Sequence, residues 1–204
     1  MNKSPAMISN RVSARAVVQR LTLAAVLAVL TGCASVKMPA AAPSAANAEK
    51  LRATKLLPAQ LGTFKLAAGK PADMDTTLGG LRGSSVSPAN GSFAVQLRDE
   101  IAAELTAAGL LDAKSRIVIE GQLTDSMVDA GMSTGKGRLA AKIQIKRDGQ
   151  ALFDKEVVAE ATWESSFVGA IALPAAINQY GALYKTLVGK LFDDADFKRA
   201  LTAQ

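Results

Sequence analysis

Three long segments in which apolar and polar side chains alternate do most to limit the folds open to this chain. In the first, Ile117, Ile119 and Leu123 alternate with polar neighbours, and the second and third cover 139–146 and 153–163. A period of two places the apolar side chains on one face of a β-sheet and the polar ones on the other. The pattern predicts a sheet with one packed face and one face open to water.

Two amphipathic helices are predicted to cover the packed face. Ser92 is a suitable N-cap for a helix that extends to about residue 108, and Gly109 follows where a C′ glycine belongs. A second helix is predicted to begin near Pro174. With a short strand at 62–67, the predicted class is α+β: a two-layer sandwich with a mostly antiparallel sheet of about four strands, in the order β-α-β-β-β-α.

The Asp148-Gly149 turn sets the register between the second and third of these strands. A three-residue loop with Gly149 in the left-handed conformation would pair Ile145 with Ala151 and keep the apolar side chains on one face. A two-residue loop would mix the two faces. We therefore expect the three-residue loop with a bulge, and Lys155 as the one misfit on the apolar face.

The first 32 residues have the organisation of an export signal. A basic segment without acidic residues precedes the apolar run from Leu21 to Leu30, and the small residues Thr31 and Gly32 follow. Ten residues of helix span about 15 Å, which is half of a bilayer core. The run therefore predicts a removable signal rather than a transmembrane helix.

The rest of the chain is predicted to consist of a tether and one domain. Residues 33–57 contain Pro39, Pro43 and many small residues without an apolar period, which is typical of a solvated linker. Residues 58–204 suit one domain with one core. Within it, the glycine- and serine-rich segment 68–91 is expected to be a long functional or disordered loop.

Composition excludes several kinds of site. The chain has no histidine and one cysteine, which excludes His-based nucleophiles, His-containing metal sites and an internal disulfide. Without the four basic residues of the leader, 20 basic and 18 acidic residues leave a net charge of +2. We expect no cofactor, no metal, no nucleic-acid partner and no nucleotide.

The glycine-rich segment Gly131–Gly137 has some features of a phosphate-binding loop. It has three residues where the P-loop requires four, and it lies between two predicted strands rather than before a helix. A flexible hairpin loop is the better interpretation. Together with Met127 and Met132, it could provide an adaptable contact for a partner. The apolar stretch 165–173 could touch a membrane or a partner, and a buried return into the next helix is the favoured interpretation.

Acidic residues suggest two further sites, each with a simpler explanation. Glu100 and Glu104 are four residues apart on a helix, and paired carboxylates can hydrolyse glycans. A solvated helix edge is the favoured interpretation. Asp193, Asp194 and Asp196 lack the spacing of a calcium loop, so helix capping accounts for them better.

The segment Leu30-Thr31-Gly32-Cys33 resembles the lipobox of bacterial lipoproteins. The resemblance implies cleavage between Gly32 and Cys33, an S-diacylglycerol group on the thiol and N-palmitoylation of the new amino group. A lone thiol would otherwise remain unpaired in an oxidising compartment. Ala34, where an Asp would imply retention at the inner membrane, implies a lipid anchor in the outer membrane and a domain that faces the periplasm.

The layout of helix 97–109, strand 117–125 and the hairpin at 148–149 resembles YajG-like outer-membrane lipoproteins of Gram-negative bacteria. That family has no established activity to carry over. The resemblance favours a non-enzymatic binding or scaffolding module attached to the membrane by its lipid. The alternatives are an auxiliary lipoprotein of a lipid or envelope transport system, with an apolar groove, and a cell-wall glycan hydrolase. The candidate partner surface is the polar face of the sheet, with Lys142, Lys146, Glu156 and Glu160.

Overall fold

A computed structural model describes residues 35–202. The predicted leader, Cys33 and Ala34 lie outside the described residues. Within them the fold is α+β, with five helices and two sheets of three and four strands. The strands are β1 (Ser35–Lys37), β2 (Gln60–Leu66), β3 (Leu78–Leu81), β4 (Ser84–Ser87), β5 (Ile117–Asp129), β6 (Thr134–Arg147) and β7 (Gln150–Glu164). The helices are α1 (Ala45–Arg52), α2 (Asp73–Thr76), α3 (Phe93–Ala108), α4 (Gly169–Asp193) and α5 (Ala195–Ala200).

The larger sheet confirms the predicted class. Its order is β2-β5-β6-β7, with β5, β6 and β7 antiparallel and β2 parallel to β5. The alternating apolar residues of β5 and β6 are buried, and α3 and α4 pack on the same face. The residues that fill this layer are Ile119, Leu123, Leu139, Ile143, Ile145, Leu97, Ile101, Tyr184 and Leu187.

The boundaries of α3 are as predicted, whereas those of α4 are not. The Ser92 hydroxyl accepts a hydrogen bond from the Val95 amide at 3.1 Å, and Gly109 has a φ of 72°. Helix α4 begins five residues before Pro174, which lies inside it. The amide that proline lacks would have paired with the carbonyl of Ala170, and that residue is exposed, so water can satisfy its carbonyl.

The hairpin between β6 and β7 differs from the prediction. Both Asp148 and Gly149 have a positive φ, 52° and 84°, as in a two-residue type I′ turn. A bulge at Leu152 then shifts the register, so that Ile145 pairs with Phe153. The three-residue loop is therefore wrong, because the bulge inside β7, and not the loop, keeps the apolar side chains on one face.

The segment predicted as a flexible tether folds onto the domain over 35–57. Strand β1 pairs in parallel with β4, and the Ser44 hydroxyl caps α1. Met38 and Leu51 are 4% and 2% exposed. The Leu57 amide donates to the carbonyl of Leu201 at 2.7 Å. The few buried side chains are too far apart in sequence to produce an apolar period, which explains the wrong prediction.

The segment 68–91 is likewise structured. It contains α2 and the β3–β4 hairpin, whose two-residue turn has Arg82 and Gly83 at φ values of 51° and 86°. Strand β4 lies in the middle of the smaller sheet, in the order β1-β4-β3. Leu81 and Val86 are fully buried. The predicted long loop is therefore a small second sheet.

Candidate functional site

The polar face of the larger sheet, here called the open face, is formed by outward-pointing side chains of β2, β5, β6 and β7. The structure places Lys142, Lys146, Glu156 and Glu160 on this one face. Lys142 lies directly opposite Glu156 on the neighbouring strand. The alternation of the sequence brings these residues together, and on β5 and β6 the inward-pointing neighbours are buried in the core.

On the open face, near the start of β5, ion pairs connect side chains of neighbouring strands. The Lys146 ammonium lies 2.6 Å from the Glu120 carboxylate, and the Lys142 ammonium lies 3.0 Å from Asp154. All four side chains are about a third to a half exposed, so each pair contributes about 0–1 kcal/mol to stability. The pairs therefore order the surface more than they stabilise the fold.

A second charged group lies at the opposite end of the open face. The Arg138 guanidinium donates to the carboxylates of Asp125 (2.8 Å) and Glu160. These hydrogen bonds raise the pKa of Arg138 above its ordinary value. The Thr124 hydroxyl donates to Glu156 at 2.6 Å. Glu156 and Glu160, which the sequence predicted as surface contacts, are thus held by neighbours on other strands.

A polar depression of about 330 Å³ lies between β2, β5 and β6 on the open face. Its lining side chains include three ammonium groups, one carboxylate, two amides and a hydroxyl. This lining offers hydrogen-bond donors and positive charge, and so suits a ligand that carries carboxylates. The residues are Thr63, Lys65, Glu120, Gln122, Lys142, Gln144 and Lys146.

The segment Gly131–Gly137 is mostly strand, not loop. Residues from Thr134 onward belong to β6, and a Cβ on Gly135 would lie 2.2 Å from the Trp163 indole. A Cβ on Gly137 would meet the same ring at 3.4 Å. These glycines therefore allow the indole to lie against the strand. Met132 remains exposed in the short turn before β6.

The structure contradicts the solvated helix edge predicted for Glu100 and Glu104, which are 5% and 1% exposed. Glu100 accepts from the Lys185 ammonium at 3.0 Å, and burial raises its pKa although Lys185 opposes the shift. One oxygen of Glu104 accepts from the Ser44 amide at 2.9 Å and from the Asn47 side chain at 3.3 Å. Helix α1, which the sequence did not reveal, covers this side of α3.

This burial does not fit the hydrolase alternative. A glycosidase needs two carboxylates that flank a substrate in a cleft. Glu100 and Glu104 instead bind groups of the protein that lie over them.

The space between helices and sheet does not fit the lipid-carrier alternative. Phe93 and Tyr180 are fully buried with ring centroids 5.6 Å apart, and Tyr180 and Tyr184 are 5.7 Å apart. The Tyr180 hydroxyl lies 2.6 Å from that of Ser126, and burial raises the pKa of Tyr180 to about 12. These rings fill the layer in which a lipid groove would have to lie.

The aspartates near the C-terminus act as caps and ion-pair partners. Asp194 accepts from the amides of Asp196 and Phe197, which confirms the capping interpretation. The Lys155 ammonium donates to Asp194 at 2.9 Å and lowers the pKa of that carboxyl. Lys155 is the one charged residue that the sequence predicted on the apolar face, where it lies opposite Ile143. The Asp194 carboxylate pairs with it at the edge of the sheet. The part of the chain that the structure covers contains no acidic cluster suited to a metal ion.

Sequence reasoning missed the role of Arg82. Its guanidinium donates to the carbonyls of Ala130, Gly131 and Ser166 at 2.7 Å and of Phe167 at 2.9 Å. One side chain thus ties the β5–β6 turn to the segment before α4. An arginine in a glycine-rich segment gives no sequence signal for such a contact, because its partners are backbone atoms distant in the chain.

The apolar stretch before and within the first turn of α4 is exposed, contrary to the predicted buried return. Phe167, Val168 and Ile171 are 75%, 53% and 61% exposed. Over residues 35–202, no helix has both the length and the apolar character that crossing a bilayer requires.

No protein-family model matches the chain, and no curated protein matches it in sequence. Among solved structures it is similar to protein XCC0632 of Xanthomonas campestris, of family DUF330 (13% identity, TM-score 0.47, 78% of this chain and 98% of that one). It is also similar to a minor lipoprotein of Acinetobacter baumannii (14%, 0.38, 72% and 92%) and to lipoprotein GNA1162 of Neisseria meningitidis (14%, 0.27, 61% and 99%). At these TM-scores the similarities carry no argument about this chain.

Proposed function

We propose that the chain is a lipid-anchored bacterial envelope lipoprotein, held in the outer membrane with its domain facing the periplasm. One observation carries the anchor: Thr31-Gly32-Cys33 directly follows the apolar run that ends at Leu30 and has a basic N-terminal flank. Three acyl chains on Cys33 would hold the protein stably on the membrane, since two already give stable anchoring. Ala34 supports sorting to the outer membrane.

The domain acts as a non-enzymatic binding module through the open face. Support comes from the polar depression, whose three ammonium groups on Lys65, Lys142 and Lys146 outnumber two carboxylates, Glu120 in its lining and Asp154 beside Lys142. Ion pairs across the strands hold two of these lysines in place. The partner is an envelope protein that presents carboxylates to this depression.

Replacement of the cysteine tests the anchor. In the unaltered chain, intact-mass spectrometry of the membrane fraction should show three acyl groups on a chain that begins at Cys33. Cys33→Ser should move the protein into the soluble periplasmic fraction. Ala34→Asp is the matched variant, since it should keep the fatty adduct and move the protein to the inner membrane. An unmodified wild-type chain would disprove the anchor.

Site-specific photo-crosslinking tests the partner surface. A photo-reactive residue at Lys142 should capture an envelope protein in intact cells. The same residue at Lys114, which is exposed in the loop before β5, is the control and should not capture that protein. Lys146→Glu should weaken capture from position 142, because it replaces an ammonium of the depression by a carboxylate. Equal capture from positions 142 and 114, or from neither, would contradict the proposal.

A further inference from the structure

Four apolar side chains are exposed together at one end of the domain, and we call them the end patch. Met132 is 56% exposed in the turn before β6, and Phe167, Val168 and Ile171 are 75%, 53% and 61% exposed before and within the first turn of α4. Clustered exposure of large apolar side chains marks a surface that contacts a partner or a membrane.

The end patch is held in a fixed arrangement. Arg82 donates to the backbone on both sides of it, at Gly131 and at Phe167. The Ser165 amide also donates to the carbonyl of Ser133 at 2.9 Å. The two segments that carry the patch are therefore fastened to each other and to the β3–β4 turn.

The start of the described chain lies at the same end. Ser35 pairs with Ser85, which follows the Arg82-Gly83 turn by two residues. Cys33 precedes Ser35 by two residues, and two residues of chain span about 7 Å at most. Since residues 35–57 fold onto the domain, no long tether separates it from Cys33.

We propose that the end patch rests in the interfacial layer of the membrane that holds the lipid anchor. This inference depends on the proposed function, which puts fatty chains on Cys33. A short connection from those chains brings the lipid surface to the end of the domain where Phe167 and Ile171 are exposed. The first turn of α4 has no acidic residue that anionic headgroups would repel. Large apolar side chains at the headgroup boundary are characteristic of surface-bound segments.

A single tryptophan placed on or off the end patch tests the contact. The full lipidated chain carries Trp163→Phe, which removes its only tryptophan, and then either Phe167→Trp or Leu111→Trp. Leu111 is a matched control, since it is an exposed apolar residue (41%) near the start of β5. The 13 residues of β5 extend about 40 Å from that end toward the patch.

Each chain is reconstituted in vesicles of phosphatidylethanolamine and phosphatidylglycerol, with and without brominated acyl chains. We expect a blue shift and strong quenching by bromine for tryptophan at 167, and neither change at 111. Circular dichroism verifies the fold. In the chain that retains Trp163, a photo-reactive residue at 167 should capture phospholipid, and one at 111 should not.

The possible results separate the two proposals. If mass spectrometry shows no fatty adduct, the proposed function fails and this inference fails with it. If the adduct is present but bromine quenches neither position or both equally, this inference alone is overturned. A blue shift at 167 without quenching would mean that a protein covers the patch, which also overturns it.

Discussion

Replacing Asn47 by alanine tests whether α1 is docked on the domain or belongs to a tether. The Asn47 side chain is 5% exposed, and its amide donates to Glu104 at 3.3 Å and to the Lys185 carbonyl at 3.1 Å. In Asn47→Ala both bonds disappear, and the Ser44 amide remains as a donor to the buried Glu104 carboxylate. The second oxygen of that carboxylate already lacks a partner among the described residues.

The expected loss in the free energy of unfolding follows from these two hydrogen bonds. A hydrogen bond to a charged group contributes about 1.5–3 kcal/mol and one to a neutral carbonyl about 0.5–1.5 kcal/mol. Because the bond from Asn47 to the carboxylate is long, the lower part of the sum applies, about 2–3 kcal/mol. Since the free energy of unfolding falls by about 1–3 kcal/mol per M of urea, the midpoint of unfolding should fall by roughly 0.7–3 M.

The assay is urea unfolding of the exported Cys33→Ser chain, followed by circular dichroism. Asn90→Ala is the matched control, because the exposed Asn90 side chain donates to Asp99 at 2.7 Å outside the core. The control should change stability by about 0.5 kcal/mol or less. If the Asn47→Ala and Asn90→Ala chains unfold at the same urea concentration, α1 is not docked on the domain.

Two other substitutions test the core and a buried charge. Gly135→Ala should lower the melting temperature and alter Trp163 emission, because the new Cβ would lie 2.2 Å from the indole. Gly79→Ala is the control, since its Cβ would meet open space, and it should change neither property. Equal melting temperatures for the two variants would contradict this packing. Because burial raises the pKa of Glu100, the folded carboxyl binds its proton more tightly than the unfolded one, so this group makes stability fall as pH rises above about 4. Glu100→Gln should remove this component from urea midpoints measured between about pH 4 and 7, and an unchanged slope would refute it.

The larger sheet and α3 could be predicted because each carries many residues that repeat one signal. Strands β5, β6 and β7 have 13, 14 and 15 residues, so alternation is evident even where single positions deviate. Helix α3 adds a capping serine and a C′ glycine to its apolar stripe. Strands β1, β3 and β4 have three or four residues, too few to establish a period.

The sequence predicts which residues lie on the open face but not which of them pair with each other. Alternation alone assigns Lys142 and Glu156 to one face. Which charge faces which depends on the register, and the bulge at Leu152 sets the register between β6 and β7. Bulges depend on cross-strand packing, which a single sequence does not display.

The burial of Glu100 and Glu104 shows a different limit. The sequence of a helix shows which of its faces is apolar. The residues that border this face can contact either water or another element of the fold. Here the polar helix α1 covers them, and Asn47 supplies a donor to Glu104. Besides Asn47, helix α1 buries only Ala48 and Leu51, which are too few to form an apolar stripe, so its docking site cannot be located by periodicity.

The two proposed contacts constrain each other through the length of β5. The lysine-lined depression lies beside Gln122, and the strand ends at Asp129 near the end patch, so seven residues separate them by up to about 23 Å. With the patch on the membrane, a partner would meet the depression within that distance of the headgroups. A domain seated on the bilayer loses less orientational freedom on binding than one on a flexible tether, which favours capture of a partner that is itself fixed to the envelope. A flexible insertion between Cys33 and Ser35 should therefore weaken crosslinking from position 142 while leaving the fatty adduct intact.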